Sequence, residues 1–203
     1  MNILSIDFDW IMEPTIEAYN SLSHGRDAFG PAEIWRIIQG KIPGFSPECD
    51  LNKFTDLFFF LKERVNGIDK DNIKIAFNHE EIYDFLDKDF DVSLYNIDHH
   101  HDMGYPQNDS KENKERALDG LGCGNWVSFL NKNKKIKQYT WVGNHNSNLP
   151  MDIISNDYDN FIFTTDLNAL YSVKFDKIFI CASWEWVPLK YRNLFDILIS
   201  LLD

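Results

Sequence analysis

The chain has 203 residues, 44% hydrophobic and 15% aromatic, with a formal net charge of −12. This length and apolar content suit one well-buried domain over residues 1–203 and exclude a disordered or collagen-like chain. The acidic balance argues against a nucleic-acid partner, because phosphate-backbone binders present clustered Lys and Arg, and it permits a cationic substrate.

No apolar run approaches the roughly 20 residues a membrane span needs, and the first residues lack the basic segment and cleavage site of a signal peptide. A cytoplasmic protein with no membrane partner is the expectation. Cys49, Cys123 and Cys181 are odd in number and form no C-x-x-C pair, so neither a disulfide framework nor a thiolate zinc site is expected.

In chain order, apolar runs predict a strand over residues 3–8 and helical spacing over 32–38. Leu51, Phe54, Phe58, Leu61 and Val65 then mark one face of a helix. Strands are predicted over 73–77, 92–97 and 136–142, separated by helices over 80–88 and after Gly124. Two more strands, 161–165 and 177–183, precede a last helix over 191–202. Loops are expected at 13–30, 40–47, 103–121 and 144–159, and the basic run 132–137 is a solvated helix end. Alternation of strand and helix predicts an α/β fold of three layers, α/β/α, around a mainly parallel sheet. In such sheets ligands gather at the carboxyl ends of the strands.

Chemistry concentrates at those ends. Asp98-His99-His100-His101-Asp102 directly follows the apolar run ending at Ile97. In an extended segment Asp98, His100 and Asp102 project to one side, and two carboxylates with an imidazole suit divalent metals such as Mn²⁺. The competing reading is an ordinary polar loop. Asp7 and Asp9 likewise leave the end of the first strand together, and their repulsion is relieved by a cation between them. A D-x-D after a strand also occurs in phosphatases. His79 sits at a strand-to-helix junction, where a lone histidine is ordinarily a capping or packing residue.

Taken together, His79, Asp98-x-His100-x-Asp102 and Ser5-x-Asp7-x-Asp9 resemble the metal motifs of the arginase or ureohydrolase superfamily. The resemblance implies six ligands, Asp7, Asp9, His79, Asp98, His100 and Asp102, holding two Mn²⁺ ions, with Asp7 and Asp98 as bridges. Such bridged ions lie roughly 3.5 Å apart. Glu185-Trp186-Val187-Pro188 resembles the arginase E-x-x-P, which implies that Glu185 holds the guanidinium group. It further implies that Asp102 accepts a hydrogen bond from the attacking water.

Asn78-His79-Glu80, residues 97–103, Gly122-Cys123-Gly124-Asn125-Trp126-Val127 and Tyr139-Thr140-Trp141-Val142 are similar to an arginase-like family related to the peptide arginases of ribosomal-peptide modification pathways. That implies an arginine-containing peptide, or a small guanidine, as substrate, with ornithine and urea as products. Asn125 is read either as a substrate contact or as the cap of the following helix. The S-x-D-x-D stands at the front of the chain, so an arginase-like sheet here has a permuted strand order. No histidine matches the family's proton shuttle, and His24, His99, His101 and His145 stay unassigned.

Two other classes compete. Asp7-x-Asp9 and Asp98-His99-His100 resemble a DHH-type, Mn²⁺-dependent phosphoesterase, a reading that leaves His79 and Glu185 idle and lacks a basic phosphate pocket. A haloacid-dehalogenase-like phosphatase would use Asp7 as nucleophile and leave His100 unused. A non-catalytic arginase-like binding protein would have no chemical need for six aligned ligands.

Overall fold

A computed structural model of the chain describes residues 1–13, 33, 35–37, 40, 47–86, 88–104, 121–122, 124–133, 135–147, 160–184 and 186–202. The strands among them are β1 (Asn2–Asp7), β2 (Met12–Glu13), β3 (Glu48–Cys49), β4 (Ile73–Ala76), β5 (Val92–Ile97), β6 (Ile136–Val142), β7 (Phe161–Thr164) and β8 (Lys177–Cys181). The α-helices are α1 (Leu51–Arg64), α2 (Ile82–Phe85), α3 (Trp126–Lys132) and α4 (Arg192–Ile199). No helix is long and apolar enough to cross a membrane among the described residues.

Six strands form one sheet in the order β4-β8-β1-β5-β6-β7, and every ladder in it is parallel. Ile3, Leu4, Ser5 and Ile6 of β1 are completely buried, as a central parallel strand covered on both faces must be. Alternation along the strand divides these residues between two cores. Leu4 and Ile6 meet Leu57, Phe60 and Leu61 of α1 and Phe195 and Leu198 of α4. Ile3 meets Ile82, Trp126, Val127 and Leu130 from α2 and α3 on the other face. Each such side chain, fully buried, contributes about 1.5–3 kcal/mol. The three-layer α/β arrangement expected from the sequence is therefore the observed one.

Some boundaries differ. Of the predicted face of α1, Leu61 is buried and Phe54, Phe58 and Val65 pack against the core, whereas Leu51 is 60% exposed; Leu57 and Phe60 widen the buried face beyond the stripe the spacing predicts. The helix expected over 80–88 is a 3₁₀ turn, His79–Glu81, followed by the four residues of α2. Lys135 Nζ donates to Leu86 O at 2.8 Å and satisfies a carbonyl at that early end. The antiparallel pair β2–β3 was too short for periodicity to reveal. Most of the four expected loops, and part of the helix over 32–38, fall outside the described residues.

Candidate metal centre

Parallel strands bring their carboxyl ends to one edge of the sheet, and the centre is built there. Asp7 ends β1 on the same face as Ser5, toward α2 and α3. Asp98 follows β5, two residues after Asn96 on that face. His79 opens the turn after β4, where the Glu81 carboxylate accepts hydrogen bonds from Phe77 N at 3.3 Å and Asn78 N at 3.4 Å. Asp9 lies in the 3₁₀ turn Phe8–Ile11, whose start is held by Asp9 N donating to Asp7 Oδ1 at 3.2 Å.

All six predicted ligands converge. His79 Nδ1 lies 3.0 Å from Asp7 Oδ2, 3.4 Å from Asp98 Oδ2 and 3.2 Å from Asp102 Oδ2. His100 Nδ1 lies 2.9 Å from Asp9 Oδ2 and 3.8 Å from Asp98 Oδ1. Ligand atoms of His79, Asp98 and Asp102, and separately of Asp9, Asp98 and His100, lie within 4.8 Å of one another. The two sets share Asp98.

A supporting layer fixes these side chains. His79 Nε2 is 2.7 Å from Ser5 Oγ, which leaves Nδ1 as the nitrogen facing the carboxylates. Ser183 Oγ donates to Asp7 Oδ2 at 2.7 Å, and Trp126 Nε1 donates to Asp102 Oδ2 at 2.6 Å. Asn96 Nδ2 donates to Asp98 Oδ2 at 3.0 Å, and Trp141 Nε1 to the Asp98 carbonyl at 2.9 Å. Asp102 and Ser183 adopt φ of 51° and 43°, a left-handed conformation that costs energy and recurs at functional sites.

The electrostatics follow from packing four carboxylates in the interior. Burial, then the charge of Asp7, raises Asp9 to about 6 against the opposing pull of His100. Burial and the charges of Asp102, Asp7 and Asp9 hold Asp98 well above the usual carboxylate range. For His79, burial acts downward but hydrogen bonds to Asp102 and Asp7 outweigh it and lift the imidazole to about 10. Burial likewise disfavours the charged forms of His100 and Asp102, yet the Asp9 charge raises His100 and the His79 hydrogen bond lowers Asp102. Burial pushes His99 down to about 2 and His101 down to about 4, so both stay neutral beside the cluster.

Such a cluster is frustrated without added positive charge. Asp9 Oδ2 is buried and makes no directed hydrogen bond, its near neighbour being the His100 ring. Carboxylate and imidazole donors suit hard to borderline divalent cations, so the residues fit a metal centre. A further group, Asp7, His79 and Cys181, adds one thiol at the inner edge.

The remaining sequence candidates fare differently. Glu185 lies outside the described residues, as do His24 and Cys123. On either side of Glu185, Ser183 reaches Asp7, and the Trp186 ring stands 4.9 Å from the His100 ring. Asn125 does precede α3, but no side-chain capping bond forms; its Oδ1 accepts from Gly122 N at 2.8 Å instead, because the Gly122–Asn125 turn brings that donor closer. His145 meets Lys53 Nζ at 2.6 Å and Glu13 at 3.6 Å, in a polar network beside the centre. Sequence reasoning missed Asn96, Ser183 and the roles of Trp126 and Cys181. Asn96 had a signal, a polar residue inside an apolar strand and in phase with Asp98. Ser183 had none.

Comparison with known proteins brings no match to a family model, a curated protein or a solved structure, so the chemistry is argued from the centre itself.

Proposed function

We propose that the chain is a binuclear Mn²⁺-dependent hydrolase of the arginase kind, which cleaves a guanidinium C–N bond and converts arginine in a peptide to ornithine with release of urea. The observation that carries this reading is the pair of adjoining ligand sets, one around His79 Nδ1 and one around His100 Nδ1, joined at Asp98. In this assignment Asp7, His79, Asp98 and Asp102 would hold an inner ion, and Asp9, Asp98 and His100, with Asp7, would hold an outer one.

Bound divalent ions supply Lewis acidity and make water a nucleophile near neutral pH. The protein does the rest. Asp102 accepts a hydrogen bond from the attacking water and orients it toward the guanidinium carbon. Glu185 pairs with the substrate cation and fixes its angle of approach. Water adds at carbon, the bond to the side-chain nitrogen breaks, and that nitrogen takes a proton to leave as the ornithine amine, the other product being urea. The chain's net charge of −12 draws a cationic substrate toward the site.

His79 supports this reading over the phosphoesterase, since it stands within 3.4 Å of three carboxylates and a D-x-D with D-H-H alone would leave it idle. Urea release from an arginine-containing peptide with added Mn²⁺ tests the proposal, with a phosphate ester run in parallel. Urea from the peptide upholds it. Hydrolysis of the ester alone, or Mn²⁺ binding without either activity, overturns it.

A further inference from the structure

Helix α3 grips Asp102 at two points. Val127 N donates to the Asp102 carbonyl at 3.1 Å, and Trp126 Nε1 donates to Asp102 Oδ2 at 2.6 Å. The backbone bond anchors a residue with φ of 51°, and the indole bond orients its carboxylate. The same indole, completely buried, lies with its ring centroid 4.6 Å from that of His79, tilted by 37°. His79 also stacks against Phe179 at 5.7 Å, nearly parallel. One side chain thus touches two of the four residues assigned to the inner ion, His79 and Asp102.

We propose that Trp126 is a positioning residue for the inner metal position, its N–H fixing which oxygen Asp102 presents and its ring holding the His79 imidazole in plane. This rests on the metal-centre reading above. The oxygen that accepts the indole N–H, Oδ2, is also the one 3.2 Å from His79 Nδ1, so losing the bond frees the carboxylate to rotate away from the cluster. Outer partners of this kind are each worth about 10–100-fold in metal affinity. The outer set of Asp9, Asp98 and His100 has no contact with Trp126 in the structure's hydrogen bonds and ring pairs, and its affinity should hold.

The test replaces Trp126 with β-(3-benzothienyl)alanine, which keeps the indole shape and loses only the N–H, beside the simpler Trp126→Phe. Calorimetric Mn²⁺ titration of the parent should resolve two ions. The isostere should retain the far-ultraviolet dichroism of the parent and bind one ion as before, with the other weakened about 10–100-fold. Visible absorption of Co²⁺ bound to the two proteins should differ, because the inner coordination sphere changes, a signature that a packing role alone would not move. Two unchanged Mn²⁺ affinities in the isostere overturn the assignment of Trp126 while leaving the centre intact. A parent that binds no Mn²⁺ overturns the metal centre and this inference together.

Discussion

His79 Nδ1 contacts Asp7 Oδ2 at 3.0 Å across 72 positions of sequence, although strand β8 lies between the strands that carry them. The turn after β4 carries the histidine back over the end of β8, and Ser183, just beyond that end, meets the same Asp7 oxygen at 2.7 Å. Three strand ends are tied at one carboxylate.

Four buried carboxylates, of which Asp9 and Asp98 resist ionisation, predict that divalent cations should stabilise the fold. At a free Mn²⁺ concentration of 100 times Kd, linkage adds about 2.7 kcal/mol per site. Chelator-treated protein should therefore melt lower, and Mn²⁺ should restore the parent midpoint in thermal unfolding. Equal midpoints with and without the ion would count against the centre.

The pH dependence has a definite sign. Asp9 is raised from 3.8 to about 6 in the fold, so its contribution to the metal-free protein is fully present below 3.8 and is lost as pH rises through about 6. The loss is on the order of 3 kcal/mol. His79, lifted from 6.5 to about 10, contributes stability below 6.5 that fades only as pH climbs toward 10. Metal requires the ionised carboxylate and the neutral imidazole. Mn²⁺ affinity should rise as pH passes about 6, where Asp9 ionises, and go on rising more gently toward 10 as His79 loses its proton, and binding at neutral pH should release protons, measurable by calorimetry in buffers of different ionisation enthalpy.

Glu185→Gln keeps shape and hydrogen-bonding capacity and removes the charge proposed to face the guanidinium. Metal content should stay at the parent level, while kcat/KM for the peptide falls tens- to thousands-fold, the equivalent of about 2–5 kcal/mol for an unpaired buried charge. Urea release at the parent rate would remove Glu185 from the substrate site.

Gly143 follows β6 with no room for a side chain: a Cβ there would meet Phe163 Cε2 at 2.7 Å and Ser147 Cβ at 3.0 Å. Ser147 Oγ donates to the His99 carbonyl at 2.7 Å, so a shift passes to the loop that carries His100. Gly143→Ala should destabilise by about 1–3 kcal/mol, read by denaturant unfolding.

Legibility in the sequence followed the physics of each element. β5 and β6 match their predicted spans because each is rich in β-branched, aromatic and other apolar residues and is bounded by polar segments. The ligands were legible as Asp and His concentrated at two strand ends, but turns and not an extended segment bring them together: β5 stops at Ile97, Asp102 is left-handed, and Asp9 lies in a 3₁₀ turn. The stripe on α1 was legible except at its edges, where seven apolar or aromatic residues in that helix offer overlapping faces and tertiary packing adds Leu57 and Phe60 and leaves Leu51 exposed. Ser183 reaches Asp7 through a left-handed backbone turn, and a lone serine carries no periodic signal for that.

β8, the last of the described strands in chain order, is inserted between β1 and β4, and β4 has no other neighbour in the sheet. During synthesis, residues through β7 can assemble the β1-β5-β6-β7 part of the sheet while the strand leading to His79 has no described strand to dock on. The carboxylates of β1 and β5 are thus gathered before their histidine partner can be held. Holding His79 in the proposed centre therefore needs β8, a non-local pairing of the kind that is slow to form, and a ribosome-bound chain that has not yet extruded β8 should capture no ion at the inner position.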